Sequence, residues 1–531
     1  MQTPSLMNRA TAFQSLEDEF DVLVIGGGAT GLGIAVDAVT RGFRTALVEA
    51  GDFAQATSSR ATKLVHGGVR YLASGQVHLV YEALHERAVM LRNAPHLVHA
   101  QPFLLPTYSR MDLPYYGAGL MLYDLISGGA SMGRTRLLGR EGAMRRIPTL
   151  QGAGLTGGVL YYDGQFNDAR FALALARTAV DHGATVLNYA RCVRLLQEGG
   201  QLKGAVVADV ETGEEHAVRA KVVFNAAGIF VDSVRTQDEP ASKPLLTVSR
   251  GTHIVVSADA LGGGTGIMVP KTRDGRVIFA IPWQGRVVIG TTEVAAPRPE
   301  MEPGHTQQEI GFLLETIRPY LARPVEASDI LSVFSGLRPL VTGSAAETSK
   351  LSREHHIEAS PHGLITVAGG KWTTYRRMAE DAVDFAAKRG VLPKRPCVTD
   401  TLALHGAGVA RVNPRLDEIL DPYLMEYGQD VEAIVSLWEQ PGLVKRLDDA
   451  LPYTYAMVRY AVQAEMARTV EDVLSRRTRA LLIDSAAAAR AARGVALAMA
   501  AELGRSEGWI EKQVAAFTQL QGQDYSLSSR A

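Results

Sequence analysis

At 531 residues the chain exceeds what a single hydrophobic core accommodates, so two or three domains are expected, each large enough to bury its own interior. Hydrophobic residues make up 46% and charged residues 21%, which is ordinary globular usage, and a formal net charge of -1 provides no field for holding nucleic acid. The two cysteines, Cys192 and Cys397, are far apart and in no C-x-x-C pattern, so neither a disulfide framework nor a metal site is indicated and both read as small buried hydrophobes.

The first 20 residues form an extension without an apolar signal-peptide core, and no run of eighteen uninterrupted apolar residues follows anywhere. This argues against export and against a spanning helix and places the protein on the cytosolic side, with contact to a membrane surface left open. Residues 21–50 then read as strand DVLVI, glycine turn GGGATG, helix LGIAVDAVTRG and strand FRTALVEA, one βαβ unit. Gly26, Gly28 and Gly31 form G-x-G-x-x-G between strand and helix, and Glu49 ends the next strand. The first glycine permits the tight turn, the second lets a pyrophosphate approach the backbone and the third allows close helix–strand packing, while Glu49 is placed to accept ribose hydroxyls. That pattern predicts a dinucleotide site and leaves NAD and FAD both open.

A plain NAD domain would continue in regular βαβ units. This chain instead runs into TSSRATKLVHGGVRY at 57–71, an extended segment of hydroxyls, a lysine and paired glycines. The apolar, aromatic stretch LPYYGAGLMLYDLI at 113–126 is too short to span a bilayer and reads either as core or as an interfacial patch. From about 150 to 300 a helix at 168–182 accompanies β-branched runs such as LKGAVVADVE, KVVFNAAG, GTHIVVSA, GRVIFAIP and GRVVIGTTE, which predict a mixed sheet over the first domain. The strand LITVA ends at Gly369, Gly370 and Lys371 ahead of the helical WTTYRRMAEDAV, so amides and a positive helix end point outward there, a setting that suits an anionic reduced flavin. His355 and His356 are adjacent, face opposite sides of a strand, and read as surface residues. Beyond Pro393 and Pro396 the composition turns to Ala, Arg, Glu and Leu, with Thr469 and Asp472 spaced as a capping box before VLSRRTRALL. A separate helical domain over 396–531 is expected.

Taken together, IGGGATGLGIA, TSSRATKLVHGGVRYL, APHLV, GTHIVV, IGTTE, SGLRPL and GGKWTTYR, in this order, resemble the D-amino-acid-oxidase superfamily and its FAD-dependent glycerol-3-phosphate dehydrogenase branch over about residues 20–380, and TVEDVLSRRTRALL is similar to that branch's helical C-terminal domain. The resemblance implies an α/β fold: a Rossmann-like FAD-binding domain from about 21–110, 150–240 and 335–390, and a mixed-sheet substrate domain from about 240–335. It implies oxidation of sn-glycerol 3-phosphate to dihydroxyacetone phosphate, hydride passing from C2 to flavin N5 and electrons to membrane quinone, by a peripheral enzyme on the inner face of the cytoplasmic membrane, with a homodimer as one possible assembly. An oxidase passing electrons to dioxygen, another amine or amino-acid oxidase of the superfamily, and a non-catalytic flavin sensor are the alternatives.

Carried over position by position, the resemblance assigns cofactor contacts to Gly26, Gly28, Gly31, Glu49, Thr57, Ser58, Ser59, Lys63, His66, Gly67, Gly68, Val193, Ala227, Gly228, Gly370, Lys371, Trp372 and Thr373. Substrate contacts fall to Arg70, Tyr71, His253, Arg338 and Lys371, and catalysis to His253, Arg338 and Lys371. The residue types fit these roles. Arg338, between apolar residues and a proline, needs an anionic partner if buried, and His253 on an apolar strand titrates in a range suited to a general base. Whether His253 or Lys371 takes the proton stays open. Two positions depart from the family pattern: Arg60 interrupts a hydroxyl-rich stretch, and Trp372 stands where a smaller aliphatic residue is usual.

Overall fold

The structure, a computed structural model, describes residues 9–68, 77–270, 272, 275–342, 355–408 and 422–527. Arg70 and Tyr71 lie outside the described residues.

The βαβ unit forms as its periodicity predicts: strand Glu19–Ile25, helix Ala29–Thr40 and strand Thr45–Val48. Val22, Leu23 and Val24 are completely buried, as a parallel strand with both faces covered requires. The strands run in the order His355–Ala359, Ile365–Gly369, Glu215–Asn225, Glu19–Ile25, Thr45–Val48, Thr185–Leu187, and a hairpin of Ala190–Glu198 with Gln201–Asp209 adds to Glu215–Asn225. The pairings between Ile365–Gly369 and Thr185–Leu187 are all parallel, so the carboxyl ends of those strands share one edge. The chain leaves Glu19–Ile25 toward Thr45–Val48 on one side and comes back to Glu215–Asn225 on the other. A crevice opens where the winding reverses, the position at which open α/β sheets bind ligands.

A second sheet runs Val294–Ala296, Leu246–Ser257, Arg286–Gly290, Ile278–Trp283, Gly266–Val269, Val98–Thr107, Gly157–Phe166, Leu64–Val65. Ile330–Val341 pairs along Leu246–Ser257, setting Phe334 opposite His253 and Arg338 opposite Ser249. The domain limits expected from sequence therefore need correcting. Leu64–Val65, Val98–Thr107 and Gly157–Phe166, placed with the cofactor part, belong to the second sheet. Local apolar runs mark strands but do not name their partners, and these partners are distant in sequence.

The C-terminal residues are helical, including Tyr455–Ala464, Ser485–Leu503 and Glu507–Leu520. Their core is shared with Val255, Trp283, Val288 and Phe334 of the second sheet, so the helices back the strands that carry His253. Thr469 and Asp472 do form a reciprocal capping box: Asp472 N donates to Thr469 Oγ1 at 3.2 Å, and Thr469 N to Asp472 Oδ2 at 3.0 Å. The turn they open, Asp472–Arg477, is wound as a π-helix. The 113–126 stretch lies on helix Asp112–Ser127, which divides the two readings between its faces: Gly117, Leu120, Tyr123 and Ser127 are buried, whereas Tyr115, Met121, Leu122 and Leu125 are exposed.

Candidate active site

Four turns meet at the crevice, each leaving the carboxyl end of a parallel strand. At the first, Gly26 has φ +113°, and a Cβ there would sit 2.5 Å from the Ala226 carbonyl oxygen. A Cβ on Gly31 would come within 1.8 Å of the Gly26 carbonyl oxygen, so only glycine lets the helix start this close to the strand. Gly28 caps that helix, and Ser58 Oγ accepts from Ala29 N at 2.9 Å. Glu49 accepts from Gly27 N at 2.6 Å and Gly51 N at 2.8 Å; burial pushes its carboxyl up while those amides pull it down. Gly228, Gly369 and Gly370 take positive φ at the remaining turns. Trp372 Nε1 donates to Ser58 O at 2.8 Å, and Thr57 Oγ1 to Leu337 O at 2.7 Å, tying the 57–59 turn to its neighbours.

These turns enclose a cavity of about 690 Å³, within the range of cofactor sites. Gly26, Gly28, Glu49, Thr57, Ser58, His66, Ala227, Gly228, Gly370, Lys371, Trp372 and Thr373 line it, together with His253 and Arg338. Glycines at 26 and 31 that admit no Cβ, an acid at the second strand end and a helix start that faces the cavity suit the pyrophosphate and ribose of a dinucleotide.

A second cavity of about 210 Å³ shares Thr62, Leu64, His66 and Arg338 with the first and adds Gly68, Arg276, Thr291, Thr292 and Glu293. Arg338 Nη2 donates to Thr291 Oγ1 at 3.1 Å and to Thr292 O at 3.2 Å, which aims the guanidinium at the junction. His253 is buried and its ring stacks on Phe334 at 4.6 Å. Its Nε2 meets Thr62 Oγ1 at 3.0 Å, and its Nδ1 has no partner among the described residues. Burial first, then the charges of Lys63 and Arg338, hold this imidazole well below its ordinary range, so it is neutral near pH 7.

Several assigned residues stand elsewhere. Lys63 turns into the interior, where Nζ donates to Asp168 Oδ2 at 2.7 Å and Ser59 O at 2.8 Å; a buried ammonium goes to its carboxylate. Ser59 is buried beside it. Gly67 N donates to Tyr123 OH at 2.8 Å, and a Cβ there would strike Leu84, so it packs against helices and does not line the cavity. Gly68 lines the smaller cavity, and Gly31 acts through Gly26. Val193 is exposed, whereas its neighbours Arg191 and Cys192 line the cofactor cavity. Neither cysteine is fully buried, and burial pushes the Cys192 thiol up to about 12. His355 and His356 are half-buried, His355 bonded to Asp381 at 3.0 Å.

Thr62, Arg276, Thr291, Thr292 and Glu293 were not singled out from sequence. The signal was present in TSSRATK and IGTTE, where polar residues interrupt or end apolar strands. The two departures from the family pattern are both accommodated. Arg60 is buried and bonds Glu302 Oε2 at 2.8 Å and Met301 O at 2.7 Å, and the Trp372 ring meets Phe166, Phe171 and Tyr375 edge-on.

A family model described as FAD dependent oxidoreductase matches residues 21–376, and one described as C-terminal domain of alpha-glycerophosphate oxidase matches 397–509. The mitochondrial glycerol-3-phosphate dehydrogenase of Arabidopsis thaliana is 40% identical over 94% of this chain and 85% of its own length. The human mitochondrial glycerol-3-phosphate dehydrogenase is 42% identical over 91% and 71%. Among solved structures, the glycerol-3-phosphate dehydrogenase from Bacillus halodurans complexed with FAD superposes with a TM-score of 0.79 at 30% identity, covering 98% of each chain.

Proposed function

Since the chain belongs to the FAD-dependent glycerol-3-phosphate dehydrogenases, we infer that it oxidises sn-glycerol 3-phosphate to dihydroxyacetone phosphate with FAD as its cofactor. The observation that carries this reading is the junction of the two cavities at Thr62, His66 and Arg338, beside a neutral His253. The larger cavity fits the dinucleotide and the smaller one a three-carbon phosphoester. When bound, the flavin supplies the acceptor for a hydride from C2. His253 takes the C2 hydroxyl proton at Nε2 as the Thr62 hydroxyl, which bonds that nitrogen beforehand, gives it up to the substrate, and Arg338 donates to the oxygen that becomes a carbonyl. Lys371, on the wall of the larger cavity, adds positive charge for that oxygen. Arg276 in the smaller cavity is the described cation best suited to the phosphate.

The experiment is anaerobic addition of glycerol 3-phosphate to the purified yellow protein. Near-stoichiometric bleaching of the flavin absorbance is expected, and unchanged absorbance would leave a flavin sensor. Arg338→Ala is expected to lower kcat/KM roughly 10- to 100-fold, the equivalent of one charged hydrogen bond. Wild-type turnover in that variant would remove the pocket assignment.

For the electron acceptor we propose membrane quinone, reached from a peripheral position. No helix among the described residues is long and apolar enough to cross a membrane. Support comes from the exposed Tyr115, Met121, Leu122 and Leu125 of helix Asp112–Ser127, with exposed Arg110, Arg134, Arg136, Arg140, Arg145 and Arg146 in the same region. Apolar side chains beside arginines suit an anionic bilayer interface. Leu122→Asp with Leu125→Asp is expected to abolish cosedimentation with anionic vesicles while leaving turnover with a soluble quinone analogue. Rapid peroxide formation in air with no quinone reduction would favour the oxidase alternative.

A further inference from the structure

We propose that Lys63 is a positioning residue for the proton acceptor, its ammonium held behind the Phe334 ring so that His253 stays in its uncharged, proton-accepting form. This rests on the reading of His253 given above.

The geometry is specific. Lys63 Nζ lies 5.0 Å from the Phe334 ring centroid, and that ring stacks on His253 at 4.6 Å with an interplanar angle of 10°. The preceding residue, Thr62, bonds His253 Nε2, so one dipeptide both orients the imidazole and sets a charge close to it. Lys63 is completely buried, and its partners are fixed: Asp168, the Ser59 carbonyl and, at 5.3 Å, the Trp283 ring.

Asp168 is also shared. Arg479, from the C-terminal helical region, meets its other oxygen at 3.1 Å and donates to the same Ser59 carbonyl at 2.7 Å. Two buried cations thus divide one carboxylate and one carbonyl. With burial acting first and Arg479 adding to it, Lys63 is pushed down to about 7, against the pull of Asp168 and with a smaller push from Arg60. Of the charged groups acting on His253, Lys63 and Arg338 are the principal ones; its other near neighbours, Thr62, Phe334 and Gly290, are neutral. As pH falls below neutral, Lys63 charges first, and its charge then opposes protonation of His253. The 5.0 Å and 4.6 Å distances through the Phe334 ring cap the separation of Lys63 and His253 at about 10 Å, where in surroundings of effective dielectric near 20 a like charge changes a proton affinity by roughly tenfold or more.

The test is Lys63→Met in the flavin-loaded protein, with Lys63→Gln as a second variant that keeps donors for Asp168 without the charge. In both, Asp168 retains Arg479. The acid limb of the kcat/KM profile is expected to move up by about one pH unit. The His253 resonance in protein labelled with ¹³C at histidine Cε1, assigned by its loss in His253→Asn, should titrate higher by the same amount. A limb and a resonance that stay at their wild-type positions in the variants would show that Lys63 only fills space, and would overturn the inference. If His253→Asn keeps the wild-type acid limb, the failure lies with His253 as proton acceptor, and the resonance shift alone then reports whether Lys63 acts on it.

Discussion

Arg477→Met is expected to cost the folded protein about 3–5 kcal/mol, the penalty for breaking a buried ion pair from one side. Arg477 and Asp52 are both completely buried in side chain. Arg477 Nη2 donates to Asp52 Oδ1 at 2.9 Å and to the Glu465 carbonyl at 2.7 Å, while Arg476 Nε donates to Asp52 Oδ2 at 2.6 Å. Burial would raise the Asp52 carboxyl, but the Arg477 and Arg476 guanidinium groups reverse this and hold it at about 2. A carboxyl depressed on folding stabilises the native state above its unfolded value, and that contribution is lost as pH falls from about 4 toward 2. The consequence reaches the cofactor. Asp52 lies within the loop whose Glu49, Ala50 and Ala54–Ser58 line the larger cavity, and Arg479 holds the Ser59 carbonyl of the same loop. Urea unfolding of the variant, followed by tryptophan and flavin fluorescence, should show an earlier midpoint with flavin released in the same transition. An unchanged midpoint would mean the C-terminal arginines do not brace this loop.

That clasp marks the limit of what was legible in the sequence. The turn at Gly26–Gly31 could be read because every part of it is local: a strand, a glycine spacing and an apolar helix within one window. Arg338 could be read because a charge on an apolar strand demands a partner; His253, on such a strand by itself more often a core group, was legible only through the family resemblance, and both line the larger cavity. Lys63 could not be read. In a row of hydroxyls it resembles a cavity-lining residue, and its direction is decided by Asp168, 105 residues away, and by an arginine from the C-terminal helices. The SRRTR run is equally opaque, since three arginines in a helical stretch suggest a solvated face until Asp52 and Asp168 are placed beside them. The division of strands between the two sheets fails for the same reason: pairing depends on partners that local periodicity does not identify.

Gly31→Val is expected to yield protein purified without flavin. The clash is between backbone and side chain with no rotamer to relieve it, because the first carbon already falls 1.8 Å from the Gly26 carbonyl oxygen and 3.3 Å from Val24 Cγ1. Either the helix Ala29–Thr40 moves away from strand Glu19–Ile25, withdrawing its amides from the phosphate position, or the Gly26 turn reopens against Ala226. Both outcomes dismantle the anion site at the helix start. Gly28 is a different case. It has φ -85°, open to any residue, and a Cβ there would meet only Ser58 Oγ, at 3.1 Å. Gly28→Ala should therefore retain flavin with weakened affinity, as the Ser58 hydroxyl that caps Ala29 N shifts aside, although a larger side chain would project into the cavity itself. The ratio of flavin to protein absorbance after purification, with FAD titration of the apoproteins, ranks the variants: wild type, then Gly28→Ala, then Gly31→Val with none retained. A fully loaded Gly31→Val protein would show that the helix start is not the phosphate site, and the placement of the dinucleotide in this crevice would have to be abandoned.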